Sequence, residues 1–387
     1  MPTVQLQNAS QPDFNYLPNL KNYNQRTQRR LAEEKLEKEL PEGFPAQLEG
    51  PKLWKGSDYE GKESEWIYQL NEQELQEIDD AVHAFEATEK PFSEISKESF
   101  DLPIFGPKIK KLIEEHVLDG RGFVVIRGLN PDKYTRSQNI IAYTGVSAWV
   151  GKRGLQGRHI IAHIKDLVPE EGLDDIKAAA YTNDYQVYHT DSGDIISLYA
   201  LGVAEEGGRS RIASSWTVYN ELAKTRPDLI HTLSQDWPFE LDLHKDDRPY
   251  LLRPLLYYVD GKLIIQYARR SFTGFGKNPR SEDIPPITEA QAEALDALHF
   301  TAEKFNLGIE FQKGDIQYIN NLSIFHARDG YTDSEKNQRH LLRHWLHPEN
   351  AWKLPPQLED KWNKIYHEER EEIFPLEATS KIFYKEK

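Results

Sequence analysis

The chain has 387 residues, no cysteine and a formal net charge of −15, a length that suits one large domain or two modest ones. The absence of cysteine excludes a disulfide framework and a thiolate metal site, and the acidic balance argues against nucleic acid as a partner. No apolar run is long enough to cross a bilayer, and the first residues lack the basic and apolar regions of a secretory signal. We therefore expect a cytoplasmic protein that does not bind membranes.

The first sixty residues differ in composition from the rest of the chain. They are polar, charged and proline-containing, and residues 26–40 predict a charged helix. This pattern predicts a solvated N-terminal arm over residues 1–60, which wraps either the domain or a partner subunit in a homo-oligomer. Residues 61–387 then form a single domain.

Helices and one strand are predicted before the middle of the chain. Asn71 is a helix cap, and its helix runs to about Ala87. Residues 107–118 carry apolar side chains at helical spacing. A buried strand at 123–126 follows, and a further helix covers 135–149.

The second half alternates strand-like and helical segments. A helix is expected over 218–233, and 257–267 is a hairpin because Asp260-Gly261 is a strong turn signal. Thr288 opens a capping box for a helix that ends near residue 305. Strand-rich segments with inserted helices predict a mainly β fold with flanking helices, a double-stranded β-helix or jelly-roll barrel.

A His-x-Asp pair and a distant histidine carry the chemistry. His189 and Asp191 lie at the end of a predicted strand, where side chains two apart share a face. His326 follows a strand and a turn that begin at Gly314. Two imidazoles and one carboxylate can occupy one face of a ferrous ion and leave other positions open. A second copy of the pattern, His244-Lys-Asp246, has the surroundings of a solvated turn.

Two arginines follow the distal histidine. Arg339 and Arg343 are four apart, so a strand places them on one face with Leu341 between them. Arginine grips a carboxylate through two parallel charge-assisted hydrogen bonds, which suits a dicarboxylate cosubstrate. The alternative is a surface strand with scattered charge, which the apolar neighbours disfavour.

These motifs together resemble the TauD/TfdA (taurine dioxygenase) and clavaminate synthase-like family of Fe(II)- and 2-oxoglutarate-dependent dioxygenases, most closely its fungal branch. The resemblance covers about residues 120–348. It rests on segments in a fixed order, namely Gly120 to Gly128, His189-Thr-Asp191, Gly207-Gly-Arg-Ser210, Gly314-Asp315, His326-Ala-Arg328 and Arg339 to Arg343.

The resemblance implies roles for individual residues. His189, Asp191 and His326 are expected to ligate Fe(II). Arg339 is expected to bind the far carboxylate of 2-oxoglutarate, and Ser210 stands where relatives carry a threonine with the same task. O2 is the second cosubstrate.

Substrate contacts are less constrained by the pattern. Arg343 matches an arginine that contacts an anionic substrate group in relatives, with a structural ion pair as the alternative. Arg270 lies beside the expected pocket, with a surface basic pair as its alternative. Tyr185 and Tyr188 are expected to line the pocket, although core packing is the commoner fate of a strand tyrosine. Residues 151–180 form either a lid or a surface loop.

The expected activity is oxidation of an unactivated C–H bond of a small anionic molecule, a carboxylate or sulfonate such as an amino acid. Hydroxylation, desaturation and ring closure all occur in the family, and a role in fungal secondary metabolism follows by analogy. Two other classes stay open, a zinc hydrolase and a binding barrel without catalysis. The hydrolase would use the histidines at 340, 344 and 347 or at 159 and 163, but the His-Glu-x-x-His pattern is missing.

Overall fold

The computed structural model describes residues 11–240, 250–369 and 371–381. The His244-Lys-Asp246 pattern lies outside these residues. The helices of the described residues are α1 (Leu20–Glu33), α2 (Glu72–Glu86), α3 (Phe105–Leu112), α4 (Arg136–Ala148), α5 (Val168–Glu171), α6 (Ser215–Thr225), α7 (Pro227–Ser234), α8 (Arg270–Thr273), α9 (Glu289–Phe305) and α10 (Pro356–Tyr366). A π-helical turn, Ile113–Leu118, continues α3.

The described strands are short, as is usual for a twisted, layered β protein. They are β1 (Ile67–Gln69), β2 (Phe123–Arg127), β3 (Lys152–Arg153), β4 (Ala162–Ile164), β5 (Gln186–His189), β6 (Ile195–Gly202), β7 (Glu206–Gly207), β8 (Ser210–Ser214), β9 (Trp237–Glu240), β10 (Tyr250–Arg253), β11 (Leu256–Val259), β12 (Lys262–Ile265), β13 (Leu307–Ile309), β14 (Ile316–Asn320), β15 (Ile324–Arg328), β16 (Tyr331–Thr332) and β17 (His340–His347).

Two sheets organise the molecule. The larger has the order β1-β2-β14-β6-β17-β3, with β4 also paired to β17, and the smaller has the order β13-β8-β15-β5. Neighbours in sequence are seldom neighbours in a sheet, so the chain crosses repeatedly between the two layers. The smaller sheet contains the segments of both histidine motifs.

The two sheets face each other across a shared apolar layer. Phe123, Ile196 and Ile319 of the larger sheet pack in one cluster with Ile212 and Ile324 of the smaller sheet. Because side chains alternate along a strand, the residues between these positions point outward. The fold is therefore mainly β, with both outer faces left for helices.

Helices cover both outer faces. Val124 and Tyr318, on the outer face of the larger sheet, pack in a cluster with α2, α3 and α4. Ala213 and Phe325, on the outer face of the smaller sheet, pack with α6, α7 and α9. The expectation of a β fold flanked by helices is confirmed.

Several predicted elements need correction. The N-terminal helix spans Leu20–Glu33 rather than 26–40. The single helix expected over 218–233 is two helices, because Pro227 at the start of α7 lacks the N–H that would continue α6. Residues 151–180 are not a simple loop, since β3 and β4 add to the edge of the larger sheet.

The N-terminal segment packs on its own chain. Arg26 of α1 reaches Asp296 of α9 at 2.9 Å, and Arg269 reaches the other oxygen of that carboxylate at 2.7 Å. All three side chains are buried. Phe14 is also buried, beneath the Arg269 guanidinium. Charged side chains of the arm thus pair inside the fold.

Across the residues that the structure describes, no helix combines the length and apolar character needed to span a membrane.

Replacing the carboxylate shared by the two arginines tests how the arm is held. We expect Asp296→Ala to cost about 3–5 kcal/mol of unfolding free energy, because it strands two buried guanidinium groups. Urea unfolding measures the loss. Asp174→Ala is the matched control, because Asp174 pairs with Lys277 through largely exposed side chains and such pairs contribute little. Equal, small losses in both variants would show that the buried pairs do not hold the arm.

Candidate active site

The two histidines are neighbours in the smaller sheet. Strand β15 runs antiparallel to β5, and the register places His326 directly opposite His189. Their ring centroids are 4.1 Å apart. His189 Nδ1 donates to the Val187 carbonyl at 2.9 Å, which fixes the ring and makes Nε2 the acceptor atom; the Gln186 side-chain amide lies 3.2 Å from that Nε2.

Asp191 lies just beyond the end of β5, and its backbone is clamped. The Asn321 side chain accepts from the Asp191 N–H and donates to the Asp191 carbonyl, both at 2.8 Å. It also donates to the Gly193 carbonyl at 2.8 Å, and Gln266 donates to the Asp191 carbonyl. The Asn321 amide, which lies in the turn before β15, thus holds the backbone of the Asp191 turn.

The three side chains form one constellation with metal-ligand chemistry. His189 Nε2 lies 3.8 Å from Asp191 Oδ1, and His326 Nε2 lies 3.9 Å from Asp191 Oδ2. One ligand atom from each lies within 4.8 Å of the other two, and among the described residues this is the group that meets that test. Two imidazoles and one carboxylate fit a ferrous ion with open positions.

Charge and burial favour the metal-binding protonation states. Burial would raise the pKa of Asp191, but Arg343, with help from His326 and His189, holds it well below its usual value. Arg343 Nη1 donates to Asp191 Oδ2 at 2.8 Å, and Trp345 Nε1 donates to the same oxygen at 3.3 Å. Burial, with His189 beside it, lowers the pKa of His326 to about 3. The site therefore presents a carboxylate and neutral imidazoles.

A second, cationic cluster lies two strand positions beyond His326. Arg328 of β15 and Arg339, just before β17, are both buried, and the Tyr331 ring lies within 6 Å of both guanidinium groups. Ser210 is buried opposite Arg328 in the β8–β15 register. Burial first, and Arg328 second, lower the pKa of Arg339 to about 9. Gly208 lies so close to Arg339 that a Cβ there would contact its Cδ at 3.0 Å.

A small cavity of about 180 Å³ opens beside His189 and Asp191. Its walls include Tyr16 of the N-terminal segment, Tyr181 and Arg270. Arg270 is exposed, and within the described part of the chain no carboxylate reaches ion-pair distance of it. Burial raises the pKa of Tyr16 to about 12, so this wall is a neutral phenol.

Two predicted pocket residues lie elsewhere. Tyr188 alternates with His189 and faces outward, where it is buried in the helix-covered core with its ring 5.4 Å from that of His299. The Tyr185 hydroxyl donates to Glu303 of α9 at 3.3 Å. Neither borders the cavity, because strand alternation turns Tyr188 away and α9 holds Tyr185. These two predictions are corrected.

The histidines of the zinc-hydrolase alternative form no group of three metal ligands among the described residues, although two of them are in contact. His340 contacts His163 at 2.8 Å, His344 contacts Thr144 at 3.1 Å, and His347 contacts Asp194 at 2.8 Å. His340, His344 and His347 all lie on β17. Because side chains alternate along a strand, His347 lies on the opposite face of the sheet from the other two.

Comparison with known proteins agrees with this geometry. Residues 87–345 match the family described as taurine catabolism dioxygenase TauD, TfdA family. The chain is 38% identical over 330 residues to the taurine hydroxylase-like protein SAT17 of Stachybotrys chartarum, covering 82% of this chain and 85% of the relative. It is 22% identical to the FR-33289 synthase of Streptomyces rubellomurinus, covering 80% and 93%.

Solved structures share the fold. An asparagine oxygenase in complex with Fe(II), 2S,3S-3-hydroxyasparagine and succinate superposes with a TM-score of 0.57 at 12% identity, covering 73% of this chain and 93% of that one. The non-haem iron oxygenase OrfP with Fe and alpha-ketoglutaric acid gives 0.56 at 16% identity, covering 72% and 93%.

Fold and site define a non-haem iron dioxygenase that uses Fe(II), 2-oxoglutarate and O2. The chain belongs to the TauD/TfdA family.

Removing one ligand tests the metal site. We expect His189→Ala to lose stoichiometric Fe(II) binding, measured anaerobically by equilibrium dialysis, while far-ultraviolet circular dichroism stays unchanged. His83→Ala is the control, because the His83 side chain is 67% exposed and remote from the cluster in sequence. Full iron binding by the His189→Ala protein would reject the site.

Proposed function

We propose that the protein oxidises an unactivated C–H bond of a small, anionic, amino-acid-like substrate, with hydroxylation, desaturation or ring closure as the outcome. The observation that carries this proposal is the location of the His189, Asp191 and His326 cluster at the wall of a small, cation-lined cavity. The remaining residues divide between cosubstrate and substrate.

His189, Asp191 and His326 are the proposed iron ligands. When bound, Fe(II) with 2-oxoglutarate and O2 supplies the oxidising power, and 2-oxoglutarate leaves as succinate and CO2. Arg343 and Trp345 keep the Asp191 carboxylate ionised and aimed at the ion. We therefore assign Arg343 mainly to positioning this ligand, the ion-pair alternative of the sequence prediction, although it also borders the cavity.

Arg339 and Ser210 are the proposed anchor for the far carboxylate of 2-oxoglutarate. Arg339 Nη1 is buried without a hydrogen-bond partner, and a buried guanidinium demands an anion. Ser210 lies opposite Arg328, two positions from His326 along the strand. A five-carbon dicarboxylate is long enough to extend from the iron to this cluster, because two strand residues advance about 7 Å.

Size and charge of the cavity support a small anion as substrate. Its volume of about 180 Å³ is below the range of about 300–1,000 Å³ typical of sites for drug-sized ligands. The described residues that line it include one carboxylate, Asp191, and the arginines at positions 253, 269, 270 and 343. Arg270 is the proposed substrate contact. The similar solved structures are complexes with hydroxyasparagine and with hydroxy-L-Arg, which agrees with an amino-acid-like substrate.

The architecture behind this function is part of the proposal. The two facing sheets would form a jelly-roll barrel within residues 61–387, and the arm 1–60 would close one wall of the cavity through Tyr16. The arm's buried pairs with α9 favour this intramolecular role over the homo-oligomer contact expected from sequence. A cytoplasmic location and a role in secondary metabolism complete the proposal.

Turnover of the cosubstrate tests the reaction and its anchor together. We expect the iron-loaded protein to consume O2 and release succinate from 2-oxoglutarate. Arg339→Ala should raise the 2-oxoglutarate concentration needed for half-maximal rate about 10- to 100-fold, because a charge-assisted bond contributes about 1.5–3 kcal/mol. Arg209→Ala is the control, since Arg209 pairs with Glu310 at the surface. An unchanged requirement in Arg339→Ala would move the anchor elsewhere.

A substrate screen tests the anionic pocket. Amino acids and sulfonates that stimulate O2 uptake and succinate release identify the substrate. We expect Arg270→Ala to raise the concentration needed for stimulation about tenfold or more and to leave 2-oxoglutarate binding unchanged. Lys277→Ala, a nearby exposed cation, should behave like the parent protein. Stimulation only by compounds that lack a carboxylate or sulfonate group would contradict the assignment.

A further inference from the structure

Arg328 is a buried cation that has no carboxylate at ion-pair distance among the residues that the structure describes. Its side chain is 3% exposed. One nitrogen, Nη2, donates to the backbone carbonyls of Ala179 and Asp184. The other two, Nε and Nη1, are buried without a hydrogen-bond partner. A buried charge normally has a partner of opposite sign, because desolvation without one is costly.

A second buried guanidinium and a phenol nearby share this deficit. Arg339 Nη1 and Tyr331 Oη are also buried without partners. The Arg328 Cζ lies 4.8 Å from the centre of the Tyr331 ring, and the Arg339 Cζ lies 5.5 Å from it. Four donor atoms of three neighbouring side chains thus lack hydrogen-bond partners, and the charge that would balance the two guanidinium groups is negative.

The position of this cluster relative to the iron ligands gives the anion its identity. His326 and Arg328 are two apart on β15, so their side chains leave the same face of the strand. Both also face the interior between the sheets, because the intervening Ala327 packs in the helix-covered cluster. An anion at the arginine cluster therefore lies along the strand from a ligand held at the metal.

We propose that Arg328 is a second guanidinium, beside Arg339, for the far carboxylate of the 2-oxo dicarboxylate. This inference rests on the proposed function, because it assumes that the cosubstrate binds at the His189, Asp191 and His326 cluster. A carboxylate has two oxygens with about four acceptor sites, so it can accept hydrogen bonds from both guanidinium groups, and each arginine then contributes to affinity.

The same residue links the cosubstrate site to the cavity wall. Arg328 Nη2 holds the carbonyl of Ala179, and Ala179 borders the substrate cavity. An anion bound at Nε and Nη1 of Arg328 would therefore contact the same guanidinium whose Nη2 holds the backbone before β5. Arg328 is a binding residue for the cosubstrate and a positioning residue for this wall.

Ligand binding separates this role from a purely structural one. Anaerobic calorimetry on Fe(II)-loaded protein measures affinity for 2-oxoglutarate and for 2-oxopentanoate, which has the same chelating head and chain length but lacks the far carboxylate. In Arg328→Met we expect the preference for 2-oxoglutarate over 2-oxopentanoate to fall about 10- to 100-fold. Fe(II) affinity should stay within about twofold. Arg211→Met is the matched control, because Arg211 lies on the neighbouring strand but pairs with Asp329.

The possible outcomes are distinct. An unchanged preference in Arg328→Met, or equal weakening of both acids, overturns the inference. If Arg328→Met does not fold, Arg328→Lys keeps the charge and one donor, and its preference should still fall; an unchanged preference there also overturns it. Failure of the parent protein to bind 2-oxoglutarate at all would instead reject the proposed function.

Discussion

The antiparallel pairing of β5 with β15 is the constraint on which the site depends. It places His189 directly opposite His326, although 136 residues lie between them in the sequence. Strand pairing fixes both backbones and brings the two rings together, with their centroids 4.1 Å apart. The two proposed histidine ligands are therefore held side by side by the sheet, and Asp191 is the third proposed ligand.

The Asp191 carboxylate is positioned by hydrogen bonds from other segments and not by strand pairing. Strand β5 ends at His189, and Asp191 is held by Asn321 and Gln266 through its backbone and by Arg343 and Trp345 through its side chain. Residues from three distant segments thus converge on one residue. This arrangement holds the proposed third ligand in place on a turn, as a metal site requires, and the positive charge of Arg343 keeps that carboxylate ionised.

Sequence reasoning located the chemistry because its signals are local. Each signal needs only a few neighbouring residues: the His-x-Asp spacing, the helix cap at Asn71, the capping box at Thr288 and the Asp260-Gly261 turn. The structure contains the two helices that begin after Asn71 and Thr288, and it contains the hairpin. The order of the motifs also carried the family and the cofactors, which the comparisons bear out. The division into flanking helices and β-sheet followed from the same periodicities.

What the sequence missed depends on contacts between distant segments. Tyr188 could not be assigned to a face until the partner of β5 was known, and a register change of one residue reverses every side chain. Tyr16 borders the cavity through the packing of the N-terminal segment on the rest of the chain, where its ring contacts Phe275, and no local pattern predicts such a contact. Arg328 stood in a quoted motif, but its unpaired nitrogens become visible only once burial is known.

The central claim is that one ferrous ion and one 2-oxo dicarboxylate meet at the paired histidines. The most direct test is the visible absorption spectrum of the protein with Fe(II) and 2-oxoglutarate in the absence of O2. The account predicts a charge-transfer band that requires both components, saturates at one iron per chain and is not produced by succinate, which lacks the keto oxygen for chelation. Binding of both components without such a band would show that they occupy separate places and would contradict the account.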